Sequence, residues 1–149
     1  MDIIDVKILE VLQENARVSI SELSRRVNLS LSAVSERLKK LEKSNIINKY
    51  TVVLDPKLLG KDLSVMISIG LESTSQAQAF IDFIKTEDEI LECHYITGEY
   101  DYMLKVTTAN THTLEIIMNR IKSFSGIKRT QTNVILSTIK QLHSVVPTV

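Results

Sequence analysis

Residues 19–50, SISELSRRVNLSLSAVSERLKKLEKSNIINKY, decide how this chain is read. Ser19 and Glu22 have capping-box spacing, each side chain able to satisfy a backbone N–H at the start of a short helix reaching Val27. Leu23 and Val27 lie one helical turn apart and face a core, and Ser24 is small enough for a second helix to cross closely. Asn28 stands where the chain must turn sharply, and Asn tolerates a left-handed backbone better than most residues. Leu29 closes the turn, and Ser30 can cap a second helix whose Val34, Leu38 and Leu41 follow i, i+4, i+7 spacing. The stretch thus reads as a helix-turn-helix, followed by the start of a wing.

The other side of the second helix carries Ser32, Ser35, Arg37, Lys39, Lys40 and Lys43, with Arg25 and Arg26 on the helix before it. From Arg25 to Lys49 there are seven basic residues against two acidic ones, a local charge of +5. A basic helix face alone is usually just solvated. The second helix, a turn at the right separation and the small Ser24 together favour double-stranded DNA as the partner.

Length and composition bound the rest. The 149 residues suit one ordinary domain or two small ones, and a 44% hydrophobic content supports a packed core. No apolar run approaches the ~18 residues of a membrane span, and the N-terminus is acidic where a secretory signal is basic, so a cytoplasmic protein is expected. The single cysteine, Cys93, excludes an internal disulfide, and its apolar strand predicts a buried thiol. Net charge is zero, but residues 1–60 hold ten Lys/Arg against eight Asp/Glu while residues 61–149 hold eight against ten. The base-rich half is the one with the helix-turn-helix.

Taken in order, Asp2 caps a first helix reaching about Asn15, with Ile4, Ile8, Val11 and Leu12 on one face. After the helix-turn-helix, Ile46-Ile47 and Tyr50 to Leu54 are β-prone and predict a small wing or a strand leaving the domain. Asp55-Pro56 through Gly60 breaks the pattern, which divides the chain into a DNA-binding domain over 1–54, a linker over 55–60 and a second domain over 61–149. There, Leu63 to Leu71 alternates as a strand, Ser75 can cap a helix, and Ile90–Thr97 and Tyr100–Val106 form a hairpin about a tight Gly98-Glu99 turn. A helix around Thr113 to Ile121 and a last strand from Lys128 to Ile139 complete a β-α-β-β-α-β order, the ferredoxin-like arrangement. The expected class is therefore α+β. Two helices cover one sheet face, and the other carries enough apolar side chains to predict a homodimer.

On these motifs the whole chain resembles the leucine-responsive (Lrp/AsnC, or feast/famine) regulators. The matching residues are Asp5-Val6-Lys7-Ile8-Leu9, Asn15-Ala16-Arg17, Glu22-Leu23-Ser24, Leu29-Ser30 with Val34 and Arg37, Leu41-Glu42, Ile46 through Tyr50, Asp55-Pro56 through Gly60, and Thr97 through Tyr102. Asn28 stands where such proteins often have Gly, and Ser44-Asn45 replaces a usual Gly before the wing. The resemblance implies a transcriptional regulator, dimeric through the second sheet and commonly tetrameric or octameric, with an amino acid or other small effector bound between dimers. Carried over by position, the effector contacts are Gly98, Glu99, Tyr100 and Asp101, with Thr132 on the last strand. Two readings of this turn stand: Gly98 lets a backbone N–H approach a ligand carboxylate while Asp101 pairs with an ammonium, or Gly98 only supplies a positive φ.

Enzyme chemistry finds little support. His94, His112 and His143 have no metal-ligand spacing, Cys93 and His94 are adjacent on a strand and so face opposite ways, and no phosphate loop or nucleophile elbow is present. No metal, cofactor or catalytic residue is expected. Two alternatives remain: an enzyme like the sirohaem decarboxylases, which resemble this family, and an effector-sensing oligomer whose helix-turn-helix no longer binds DNA.

Overall fold

A computed structural model describes all residues, Met1 to Val149, and divides into two compact units, Met1–Val53 with Lys140–Val149, and Leu54–Ile139. The last ten residues thus group with the helical unit rather than with the sheet to which their position in sequence assigns them.

In the first unit, α1 spans Ile3–Glu14. The Asp2 carboxylate accepts from the N–H groups of Ile4 and Asp5, and Asp5 accepts from the Asp2 N–H, so two aspartates build the capping box. α2 (Ile20–Val27) starts at Ser19, whose Oγ accepts from the Glu22 N–H at 3.1 Å. Only half of the expected box forms there, because Glu22 turns to Arg25 instead. Asn28 adopts the left-handed conformation (φ 55°, ψ 51°) that the turn needs, and Ser30 caps α3 (Leu31–Lys43) through the Ala33 N–H. Ile8 and Val11, Leu23 and Val27, and Val34, Leu38 and Leu41 meet in one core. Burial of each contributes roughly 1.5–3 kcal/mol before chain entropy is set against it.

The expected wing does not form a hairpin within the chain. Asn45 turns the backbone out of α3 with φ 56°, and residues 48–54 then run as exposed, unpaired coil. β-prone residues need a partner strand, and no strand pairs with these. The segment is tied at Tyr50, whose hydroxyl donates to the Glu42 carboxylate at 2.9 Å. Partial burial, and then this carboxylate, push the phenol up to about 12. Farther along, the Gln13 side chain donates to the Val145 carbonyl at 2.7 Å, fixing the C-terminal segment against α1.

The second unit comprises β1 (Leu63–Leu71), α4 (Ala77–Ile84), β2 (Ile90–Tyr95), β3 (Tyr102–Thr108), α5 (Thr111–Ser123) and β4 (Ile127–Val134). The sheet is antiparallel in the order β2-β3-β1-β4, as the β-α-β-β-α-β reading requires. Phe80 and Ile84 of α4 and Ile117 and Ile121 of α5 pack on Val65, Ile67, Ile69, Tyr102, Leu104 and Val106. α4 is preceded by a short 3-10 turn capped by Ser73, not Ser75. β4 ends at Val134 instead of Ile139, beyond which Ile135 makes one last bond to Ser64.

Two expectations about the sheet are corrected. The face away from the helices is largely polar: by register it carries Ser64, Met66 and Ser68, Met103, Lys105 and Thr107, Glu92 and His94, and Gln131 and Asn133. Only the two methionines supply sizeable apolar area. Cys93 is exposed rather than buried, because β2 is an edge strand whose residues after Ile90 are all exposed. Partial shielding still raises its thiol above the ordinary range.

Candidate functional site

The basic residues singled out in the helix-turn-helix separate into two groups. Arg37 is turned inward, its guanidinium 2.8 Å from Asp2 and 2.7 Å from Asp5, so it ties α3 to the start of α1. Those two carboxylates raise the guanidinium pKa, and backbone donation from Asp5 followed by Arg37 lowers that of Asp2. Arg37 therefore does not stand on the open face expected for it. Arg26 reaches Glu14 of α1 at 2.7 Å, and Arg25 pairs with Glu22 one turn earlier. Lys39, Lys40 and Lys43 differ: all three are exposed and have no carboxylate partner. Helical spacing puts them around the same outward face as Ser32 and Ser35, of which Ser32 is exposed and Ser35 half-buried. Ser30 is occupied as the α3 cap and also contacts the Ser32 hydroxyl.

Glu36 belongs to that outward face as well, exposed and without a cation partner. In the sequence it enters only the local charge and not the site. Its i+3 and i+4 neighbours are Lys39 and Lys40, and that spacing is the available signal.

In the second unit, the hairpin turn is longer than two residues. β2 stops at Tyr95 and β3 resumes at Tyr102, with the Ile96 N–H donating to the Asp101 carbonyl across the base at 2.9 Å. Gly98 has φ 121°, lies in open space and is exposed. Asp101 roots the turn on β1: its N–H donates to the Ile69 carbonyl at 2.9 Å, and its Oδ2 accepts the Leu71 N–H at 2.7 Å, where the β1–β4 register shifts. Beside this root opens a pocket of about 460 Å³ lined by Leu71, Glu72, Ala77, Ile81, Tyr95 and Tyr102 among others.

The remaining expected contacts behave differently from one another. Glu99 receives Arg129 on its carboxylate at 2.6 Å and on its carbonyl. The Tyr100 hydroxyl donates to Gln131 at 3.1 Å, and the Arg129 guanidinium lies 4.7 Å over its ring. Thr132 is not brought to the turn within the chain. It is paired with Ile67, on the helix side of β4, and its hydroxyl points at the Met118 sulfur. Arg129 and Gln131 escape a reading of the sequence, since their proximity to the turn follows from strand order.

Comparison with known proteins bears on both units. A "winged helix-turn-helix DNA-binding" family model matches residues 1–48, and the "Lrp/AsnC ligand binding domain" model matches residues 64–145. The chain belongs to the Lrp/AsnC family. As such it is a DNA-binding transcriptional regulator with a C-terminal ligand-binding domain. Among relatives of this Lrp/AsnC protein, the leucine-responsive regulatory protein of Haemophilus influenzae is 35% identical over 150 residues, covering 98% of this chain and 90% of the relative. A transcriptional regulator of Neisseria meningitidis, solved with L-methionine, superposes with a TM-score of 0.93 at 32% identity, covering 97% of this chain and 96% of the other. The feast or famine regulatory protein of Mycobacterium tuberculosis, also complexed with L-methionine, gives 0.89 at 29% identity, with 98% and 99% covered. No helix of the chain is long and apolar enough to cross a membrane.

Proposed function

We propose that α3 reads double-stranded DNA in the major groove and that an α-amino acid bound at the 97–101 turn adjusts that binding. The observation that carries the first part is the division among the cations. Lys39, Lys40 and Lys43 are unpartnered on the outward face of α3, while Arg25, Arg26 and Arg37 are engaged by carboxylates. Free lysines on a recognition helix contact phosphates and release counterions, and the short Ser32 and Ser35 meet base edges. Arg25 and Arg26, whose partners are exposed surface carboxylates, exchange them for phosphate at little cost.

For the effector, the exposed Gly98 backbone offers an unobstructed N–H to a carboxylate, and Asp101 offers its second oxygen to an ammonium. The adjoining pocket has the size and mostly apolar lining suited to an aliphatic or thioether side chain. The methionine complexes of the two similar regulators support the same class of ligand. The protein works in the cytoplasm as a homodimer, open to further assembly into tetramers or octamers. The exposed Val52 and Val53 of the first unit, and Leu58, Leu59, Leu136 and Ile139 of the second, support self-association more than the polar sheet face does.

The test is a gel-shift titration on the DNA upstream of the protein's own gene, with and without the twenty amino acids, first mixed and then singly. Tight binding that one apolar amino acid changes at least threefold is expected. Absence of binding to that DNA and to genomic fragments would remove the DNA reading, and binding indifferent to every amino acid would remove the effector reading.

A further inference from the structure

Arg129 does more than occupy the edge of the sheet. Its side chain leaves β4 on the face away from the helices, crosses β1 at Gly70, and ends on the turn, where it contacts the Glu99 carboxylate, the Glu99 carbonyl and the Tyr100 ring. Gly70 is what makes that path available. A Cβ at position 70 would stand 2.8 Å from the Arg129 Cγ and 3.0 Å from its Nε, and the former is part of the side chain's stem rather than a free end. Gly70 does not have the positive φ that would itself demand glycine. The need for glycine is therefore room for Arg129.

The turn between its two closing residues has few other restraints. Gly98 is exposed and has open space where a side chain would stand, and apart from the Tyr100 hydroxyl on Gln131, the side-chain bonds that hold Glu99 and Tyr100 come from Arg129. We propose that Arg129, lodged over Gly70, latches the 97–100 turn in the conformation that receives the effector and so sets effector affinity. This rests on the effector reading above. A turn held in one conformation spares the ligand the cost of ordering it, and the apparent dissociation constant rises in inverse proportion to the fraction of chains in which the turn is competent. Loosening that leaves one chain in ten competent weakens binding about tenfold. Arg129 is in this sense a positioning residue.

The experiment uses the full chain in five forms: wild type, Arg129→Gln, Arg129→Lys, Gly70→Ala and the Gly70→Ala/Arg129→Gln double variant. Hydrogen–deuterium exchange of the peptide spanning residues 97–101 is read without ligand, and L-methionine affinity is read by calorimetry. Arg129→Gln and Gly70→Ala should each speed exchange and weaken methionine binding by about tenfold, on the competent-fraction relation. The double variant should be no worse than either single one, because both remove the same latch. Arg129→Lys should not restore affinity, since an ammonium cannot span the carboxylate, the carbonyl and the ring together. Unchanged exchange, additive losses in the double variant, or full recovery with lysine would each overturn the latch. Arg129 is exposed on the sheet surface, so its variants are expected to fold and keep the test decisive should Gly70→Ala misfold. If wild-type protein does not bind L-methionine, the affinity clause falls, the gel shift with the twenty amino acids decides the effector reading separately, and the exchange rates still decide whether Arg129 holds the turn.

Discussion

Arg37 and Lys39 stand two positions apart on α3, yet a 100° step per residue sends one toward Asp2 and Asp5 and the other to solvent. Their substitutions should separate cleanly. Arg37→Met is expected to lower the melting temperature, because it strips Asp5, a buried carboxylate, of its cation. Thermal denaturation followed by circular dichroism checks this, and an unchanged melting point would mean that the pair contributes nothing. Glu36→Gln removes a negative charge from the outward face and should strengthen binding to unrelated DNA several-fold at low salt, as measured by anisotropy. Ser32→Ala and Ser35→Ala should alter which sequences are preferred while leaving that non-specific affinity alone. Glu89 gives a pH signature: donation from Lys61 at 2.9 Å, with help from Thr108, lowers its pKa despite some burial. A depressed carboxylate contributes stability above its unfolded value of 4.5 that is lost as pH falls through its folded value. The melting-temperature gap between wild type and Glu89→Gln should thus be full at pH 7 and close progressively below pH 4.5. A gap independent of pH would contradict the pairing.

Among the elements, the helix-turn-helix hinges on Asn28. A residue with a Cβ costs about 1–2 kcal/mol in the left-handed conformation, a penalty that Asn lessens and Gly avoids. Asn28→Ala should therefore destabilise the protein by about 1 kcal/mol and Asn28→Gly should not, which denaturant titration can resolve. The reverse order would mean that the side chain, not the backbone, matters at this turn. Asn28, Ser30 and the Val34-Leu38-Leu41 stripe make this region legible, since caps, turns and helical spacing are local properties. The β-prone segment Tyr50 to Leu54 reads as a wing or a departing strand because propensity does not reveal whether a partner strand exists. The Gly98-Glu99 pair suggests a two-residue turn, but Asp101 is drawn to the β1 backbone and lengthens it. Arg129 and Gln131 cannot be attached to that turn without knowing that β4 lies beside β1. Cys93 misleads for a related reason: apolar neighbours do not distinguish an edge strand from a central one.

For the whole molecule, zero net charge conceals a base-rich DNA-binding half and an acid-rich ligand-binding half. That partition favours approach to DNA through α3 and discourages approach by the sheet. Two half-sites require two recognition helices at a spacing of about one DNA turn, which a dimer supplies. Sedimentation at micromolar concentration should accordingly find no monomer, and a monomeric species would remove the dimer. The most direct test of α3 as the DNA-reading element is the salt dependence of binding for wild type and the Lys39→Gln/Lys40→Gln variant, measured by anisotropy on the same DNA. With two lysines fewer per protomer to neutralise phosphates, binding should weaken and the plot of log affinity against log salt should flatten by about 0.9 for each phosphate left unneutralised. An unchanged slope with unchanged affinity would place the DNA elsewhere on the protein.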